Sequence, residues 1–103
     1  MLYRVTARFR TETASQLQDK LDTGEIARQK PDGQELVASL ERAVVTEDGS
    51  MQWSEMCLCP TPLAHERATV LDHHFEDIRT IEIEHAEPYE GQPFLGYLAK
   101  LLA

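Results

Sequence analysis

Strict alternation of apolar and polar side chains near the amino terminus constrains this chain more than any other feature. Between positions 3 and 9 the apolar set is Tyr3, Val5, Ala7 and Phe9, and the polar set is Arg4, Thr6 and Arg8. A period of two is typical of a β-strand with one buried face and one open face. The segment therefore predicts a first strand that contributes one side to the core.

Helical and extended patterns follow one another through the first half of the chain. A short helix is expected to open at Thr11 or Thr13 and to end at residues 22–24, followed by a loop over 24–33. Residues 36–45 are compatible with a helix or a strand, and we favour the helix because a strand would place Arg42 among Leu36, Leu40 and Val44. Asp32 and Glu35 have the spacing of a capping box at its start.

Extended patterns return before the second half of the chain. Residues 47–50 predict a hairpin turn, preceded by a short strand near 43–45 and followed by a strand over 51–58. A third helix is expected from Thr61 to about His74. Its predicted apolar stripe is Ala64, Ala68, Leu71 and Phe75.

A last strand and a terminal helix complete the expected elements. The strand covers about residues 78–84, and Thr80, Glu82 and Glu84 are expected on its open face. The terminal helix carries Phe94 and Leu98. Residues 1–103 are therefore expected to form a single α+β domain.

This order of elements resembles the ferredoxin-like βαββαβ plan, with an additional helix before the hairpin and a C-terminal helix. It is also similar to small bacterial proteins of the dimeric α/β-barrel type, in which the open sheet faces of two subunits pack together around a cleft. The resemblance covers the order of elements over most of the chain and carries no functional residue with it. It implies a homodimer, and an apolar terminal helix is consistent with one.

The formal net charge of −8 argues against partners that are bound through phosphates. We therefore expect no nucleic-acid or membrane partner, and no segment approaches the roughly 20 apolar residues of a membrane span. The start of the chain enters a strand pattern directly, without the features of a signal peptide. Together with its two cysteines, one residue apart, this favours a reducing, cytoplasmic location.

A polar cleft on the open sheet face is the first candidate site. In the predicted third strand Glu55 shares a face with Trp53, and this strand is expected beside the first, where Arg4 or Arg8 would meet Glu55. With Glu82 from the last strand, these residues would bind a small polar ligand between two subunits. A structural ion pair flanking a dimer contact explains the same residues and is the favoured interpretation.

Two further hypotheses belong to other functional classes. One is a cofactor-independent enzyme for proton transfer or oxidation of a small organic molecule, with His65 or Glu55 as the base. The other is a metal-binding or redox module built on Cys57 and Cys59. Because the spacing of these cysteines matches no defined zinc motif, we expect them to be buried, reduced and free of metal, and we expect no cofactor.

Overall fold

The computed structural model describes residues 1–103 and contains one five-stranded sheet with helices packed on one face. The strands are β1 (Leu2–Phe9), β2 (Val44–Val45), β3 (Met51–Met56), β4 (Phe75–Ile83) and β5 (Gln92–Pro93). The helices are α1 (Ala14–Asp22), α2 (Gly33–Arg42), an irregular helix α3 over residues 64–74, and α4 (Phe94–Leu101). The order across the sheet is β4-β1-β3-β2-β5, and every neighbouring pair is antiparallel. The α+β class predicted from the sequence is confirmed.

Strand β1 lies in the middle of the sheet, between β3 and β4. Tyr3, Val5 and Ala7 are buried under the helices, while Arg8 on the other face is exposed. The alternation in the sequence is therefore realised in the structure. In the core beneath this strand, tilted aromatic contacts join Phe75 to Phe9, Trp53 and Phe94, and Phe9 meets Phe94 edge-on.

The segment between residues 36 and 45 is a helix that ends at Arg42, followed by the two-residue strand β2. Leu36 and Leu40 are fully buried on its inner face, as the helical interpretation requires. The predicted capping box is wrong, because the Asp32 side chain makes no hydrogen bond to the start of α2. Asp32 instead contacts His65, and Glu35 receives the backbone N–H of Met56.

Helix α3 departs from its predicted start and from its predicted stripe. It begins at Ala64, because Leu63 has a left-handed backbone with φ of 58°, and residues Arg67–Leu71 form a wider π-type turn. The wider turn rotates the buried face relative to a regular helix. Ala64 and Ala68 are consequently exposed. The buried side chains of α3 are Glu66, Val70, Leu71 and His74.

The face assignment of the last strand is also corrected. Val5 pairs with Thr80 and Tyr3 with Glu82, so Thr80 and Glu82 point to the helix side of the sheet rather than to the open face. The cause is an irregularity opposite the step from Thr6 to Arg8, where Asp77 adopts a left-handed φ of 53°. One irregular residue inverts the alternation of the strand.

The open face is partly covered by the chain itself. Residues 84–91 run from the edge strand β4 to the opposite edge strand β5, and on the way they contact two open-face side chains. Arg4 donates hydrogen bonds of 2.8 and 3.0 Å to the Glu87 carboxylate, and Ser54 lies 3.1 Å from the Tyr89 hydroxyl. We call residues 84–91 the crossing segment. No helix of the protein has the length and apolar character needed to cross a membrane.

Candidate functional site

The predicted cleft around Arg4, Arg8 and Glu55 is not assembled. Arg4 is paired with Ser54 across β3, whereas Glu55 is paired with Tyr3, so the two charges point to opposite faces of the sheet. Arg4 is bonded to Glu87, and Arg8 reaches only a backbone oxygen, that of Asp48, at 3.4 Å. The register between β1 and β3 places these two charges on opposite faces of the sheet. The alternation of side chains within each strand does not reveal this register.

The remaining residues of that cleft are also separated. Trp53 is fully buried on the helix side of the sheet, next to Glu55. Glu82 is exposed on the edge strand, opposite Tyr3. The only cleft residues that the fold brings together are therefore Trp53 and Glu55.

Glu55 is a fully buried carboxyl group in the middle of the core. Its Oε1 accepts a 2.9 Å hydrogen bond from the indole Nε1 of Trp53, while Oε2 has no donor. Burial, together with hydrogen bonding to the neighbouring Glu66, raises the pKa of Glu55 to about 9. In the metal-free protein at neutral pH this side chain is therefore a protonated acid.

Glu66, on α3, is a second buried carboxyl group and lies between the helix and the end of β3. It is fully buried, its Oε1 lacks a donor, and its Oε2 lies 4.0 Å from the Sγ of Cys57. Glu66 is close enough to Glu55 to raise the pKa of that carboxyl, while Glu55 Oε2 and Glu66 Oε1 have no hydrogen-bond partner in the structure. This arrangement turns the other oxygen of Glu66 toward the thiols.

Cys57 and Cys59 complete the cluster, and both are free thiols. The chain bends after β3, so that the backbone N–H of Cys59 donates to the Sγ of Cys57 at 3.3 Å. The two sulfur atoms and a carboxylate oxygen of Glu66 all lie within 4.8 Å of one another. Burial raises the pKa of the Cys57 thiol, and the nearby Glu66 charge adds to this effect.

A surface cavity of about 340 Å³ opens onto this cluster. Cys57, Cys59 and Glu66 form one wall of it. The other walls combine carboxylates with apolar side chains, namely Asp32, Glu35, Pro31, Met56 and Leu58. The cavity opens to solvent next to Cys59, the only partly exposed member of the cluster, whereas Cys57 and Glu66 lie buried behind it.

His65 stands next to this cavity without lining it. Its Nδ1 lies 2.8 and 2.9 Å from the two carboxylate oxygens of Asp32, and 37% of its side chain is exposed. The hypothesis that His65 acts as a base thus finds an orienting carboxylate but no enclosed pocket at the imidazole. Glu55 does not line the cavity either.

Glu66 is the candidate site residue that sequence reasoning missed. The predicted apolar stripe of α3 placed it on the polar side of the helix. A usable signal was nevertheless present, since Leu63, Glu66 and Val70 are spaced by three and four residues and share one helical face. A carboxylate among apolar residues on such a face is a candidate for a buried site.

Comparison with protein-family models, with curated proteins and with solved structures finds no match to this chain.

Proposed function

We propose that this protein binds a transition-metal ion through Cys57, Cys59 and Glu66. The observation that carries the proposal is the convergence of two thiols with the fully buried carboxyl group of Glu66, which has no cationic partner and whose Oε1 has no hydrogen-bond donor. Buried carboxylates are normally paired with a cation or bound to a metal, because burial of an uncompensated charge is costly. A bound cation would supply the missing compensation.

The donor set and its dimensions suit a borderline-soft divalent ion such as Zn²⁺. Metal–sulfur bonds of about 2.3 Å and metal–oxygen bonds near 2.1 Å place tetrahedral ligand atoms about 3.6 to 3.8 Å apart. The separation of 4.0 Å between Cys57 Sγ and Glu66 Oε2 is within a small side-chain adjustment of that value. Thiolates favour such ions over Mg²⁺ and Ca²⁺, which require oxygen ligands.

Glu55 is assigned a positioning role in this proposal. As a protonated acid it donates to Glu66 Oε1, and its own Oε1 is held by Trp53. Hydrogen bonds of this kind orient a ligating carboxylate and typically change metal affinity by about 10- to 100-fold. Glu55 thereby fixes the direction in which Glu66 presents its free oxygen.

Metal content and metal titration test the proposal. Protein purified without chelator, or reconstituted with Zn²⁺ and washed, should hold one ion per chain, with a dissociation constant below a micromolar. The variants Cys57→Ser, Cys59→Ser and Glu66→Gln should each lose the ion, whereas Glu82→Gln, an exposed carboxylate on the edge strand, should retain it. Wild-type protein that stays free of metal under both conditions would refute the site and leave the thiols as metal-free core residues.

The positioning role of Glu55 has its own test. Glu55→Gln keeps an acceptor for Trp53 and a donor for Glu66, so it should bind Zn²⁺ about as well as the wild type. Glu55→Leu lacks both groups and should weaken binding by about 10- to 100-fold. Equal affinities in the two folded variants would exclude this role while leaving the metal site itself intact.

For the fold, we propose a ferredoxin-like topology, and the antiparallel order β4-β1-β3-β2 supports it.

The expected homodimer also remains a proposal, supported by exposed apolar side chains that include Leu58, Ile81 and Leu102. The crossing segment limits any dimer contact on the open face to the part that it leaves free. Light scattering at tens of micromolar would decide the oligomeric state. Because the site requires free thiols, a reducing compartment such as the cytoplasm is the proposed location.

A further inference from the structure

The proposed metal site has three protein ligands, and no fourth side chain is free to complete a tetrahedron. Glu55 does not line the cavity, and its Oε1 is held by Trp53. The Oε2 of Glu35 already accepts hydrogen bonds from Ser39, Arg42 and the backbone N–H of Met56. Both oxygens of Asp32 are in contact with His65. Sites with three protein ligands typically keep a position for an exogenous molecule, whereas structural zinc sites have four protein ligands.

The position left over faces the cavity, because Cys57, Cys59 and Glu66 together form one of its walls. Its volume of about 340 Å³ is at the small end of ligand pockets, which fits a molecule of few heavy atoms. The apolar side chains of Met56 and Leu58 border it and are themselves largely exposed. A ligand therefore approaches this position from solvent past Met56 and Leu58, on the side of the partly buried Cys59.

The chemistry of the walls narrows the class of ligand. A borderline-soft ion held by two thiolates accepts a further sulfur donor readily. The walls carry the carboxylates of Asp32 and Glu35, and Glu35 is paired with Arg42, which lies outside the lining of the cavity. The negative charge that remains at the wall is that of Asp32, which favours a positively charged group on the ligand and disfavours a negative one. A thiol and an ammonium joined by a short carbon chain satisfy both requirements.

Resting on the proposed metal site, we propose that the bound ion keeps one coordination position open to this cavity and that the position takes a small aminothiol. The thiol binds the ion as a thiolate, and the ammonium lies near Asp32. The proton of the thiol is released to solvent, as is usual when a thiol becomes a metal ligand. No bond other than this coordination bond is formed.

Cobalt substitution tests this inference apart from the metal site itself. Co²⁺ is first titrated into the metal-free protein, and absorption bands from thiolate-bound Co²⁺ establish the site. Three probes of similar size are then added to the cobalt protein: cysteamine, 2-mercaptoethanol and 3-mercaptopropionate. They share the thiol and differ only in the charge at the other end of the molecule.

We expect saturable changes in the cobalt spectrum, with affinities in the order cysteamine, mercaptoethanol, mercaptopropionate. Asp32→Asn should lower the affinity for cysteamine by about three- to tenfold and leave that for mercaptoethanol unchanged, in line with a partly exposed charge pair. Glu82→Gln is the matched control and should preserve all three affinities.

Several outcomes would overturn the inference. A cobalt spectrum that is insensitive to all three thiols would mean that the position is closed by the protein. A reversed order, with mercaptopropionate tightest, would exclude the ligand class, and stripping of cobalt by the thiols would show that they compete with the site rather than complete it. Failure of Co²⁺ to bind at all would instead refute the metal site on which the inference rests.

Discussion

Trp53 donates its indole N–H to the carboxyl of Glu55, and the two side chains lie fully buried side by side on β3. The hydrogen bond satisfies one oxygen of Glu55, while the other has no hydrogen-bond partner and Glu66 is its acidic neighbour. Trp53 thus holds an acid in the core whose pKa of about 9 is far above its ordinary value of 4.5, mainly because of burial. The stability of the metal-free protein must therefore depend on pH above neutrality.

The first prediction follows from this shift. The folded state retains a proton on Glu55 that the unfolded chain releases. The contribution of this proton to the free energy of unfolding is therefore complete below pH 4.5 and is lost as the pH rises through about 9. With chelator present, the free energy of unfolding should fall by roughly 2 to 3 kcal/mol between pH 6.5 and 8.5. Glu55→Gln should abolish most of that decrease, as measured by urea unfolding at several pH values. Glu55 would not be the cause if the free energy of unfolding of Glu55→Gln fell with pH as steeply as that of the wild type. The same would hold if the decrease disappeared in the exposed control Glu82→Gln.

The second prediction concerns His74, which is buried between α1 and α3. Lysine can only donate, so Lys20 Nζ must donate to Nε2 of His74 at 3.1 Å, and Nδ1 of His74 then donates to the hydroxyl of Thr13 at 2.8 Å. This arrangement requires a neutral imidazole. Burial and the nearby Lys20 charge lower its pKa to about 4, so its stabilising contribution is complete above pH 6.5 and is lost as the pH falls through 4.

NMR titration of His74 provides the measurement. Lys20→Met removes the nearby positive charge that helps to lower the pKa of His74, so this pKa should rise. It should not reach 6.5, because burial is the larger cause of the lowered pKa and persists in the variant. Lys100→Met, in the exposed last turn of α4, should leave the titration unchanged. A His74 that titrates near 6.5 in the wild type would contradict the buried neutral network.

The third prediction addresses the crossing segment. Arg4 and Glu87 form a bidentate pair that holds residues 84–91 against the sheet. Arg4→Met and Glu87→Gln should each accelerate cleavage by a glutamate-specific protease at Glu84 or Glu90, with little change in global stability. Arg79→Met, on the same face but without a side-chain hydrogen bond, serves as the control. The double variant should be cleaved no faster than either single one, and additive effects would mean that the two residues act separately.

Periodicity was sufficient for parts of the fold where local geometry is regular. The alternation around Val5 and the helical face of Leu36 and Leu40 both appear in the structure as predicted. The errors arise at backbone irregularities, namely the left-handed residues Leu63 and Asp77. Leucine rarely adopts a positive φ, and aspartate tolerates one at many positions, so neither residue type marks the place of the irregularity in the sequence.

The site was predicted only in part for a related reason. That Glu55 shares a face with Trp53 follows from alternation within β3. Whether that face is the open one or the buried one depends on the register with β1, which is a non-local property. Burial of a glutamate in the core goes against residue preference, and only its partners Trp53 and Glu66 make it tolerable.

The last prediction tests how the cavity wall is positioned, through two glycines at helical positions. Gly33 starts α2 directly after Asp32, and a Cβ added there would lie 2.0 Å from the backbone oxygen of Ile26, a fully buried residue of the 24–33 loop. A backbone oxygen cannot move away as the end of a flexible side chain can, so Gly33→Ala should push Asp32 away from Ile26. In α4, a Cβ on Gly96 would meet nothing within 4 Å, so Gly96→Ala should stabilise the protein by about 0.5 to 1 kcal/mol through helix propensity. Denaturant unfolding should therefore show opposite signs for the same chemical change, with Gly33→Ala losing more than about 1 kcal/mol. The same substitution should weaken the contact between Asp32 and His65, observable as a change in the NMR chemical shifts of the His65 ring at one fixed pH. Two stabilising substitutions would mean that the loop yields easily and does not fix the position of Asp32.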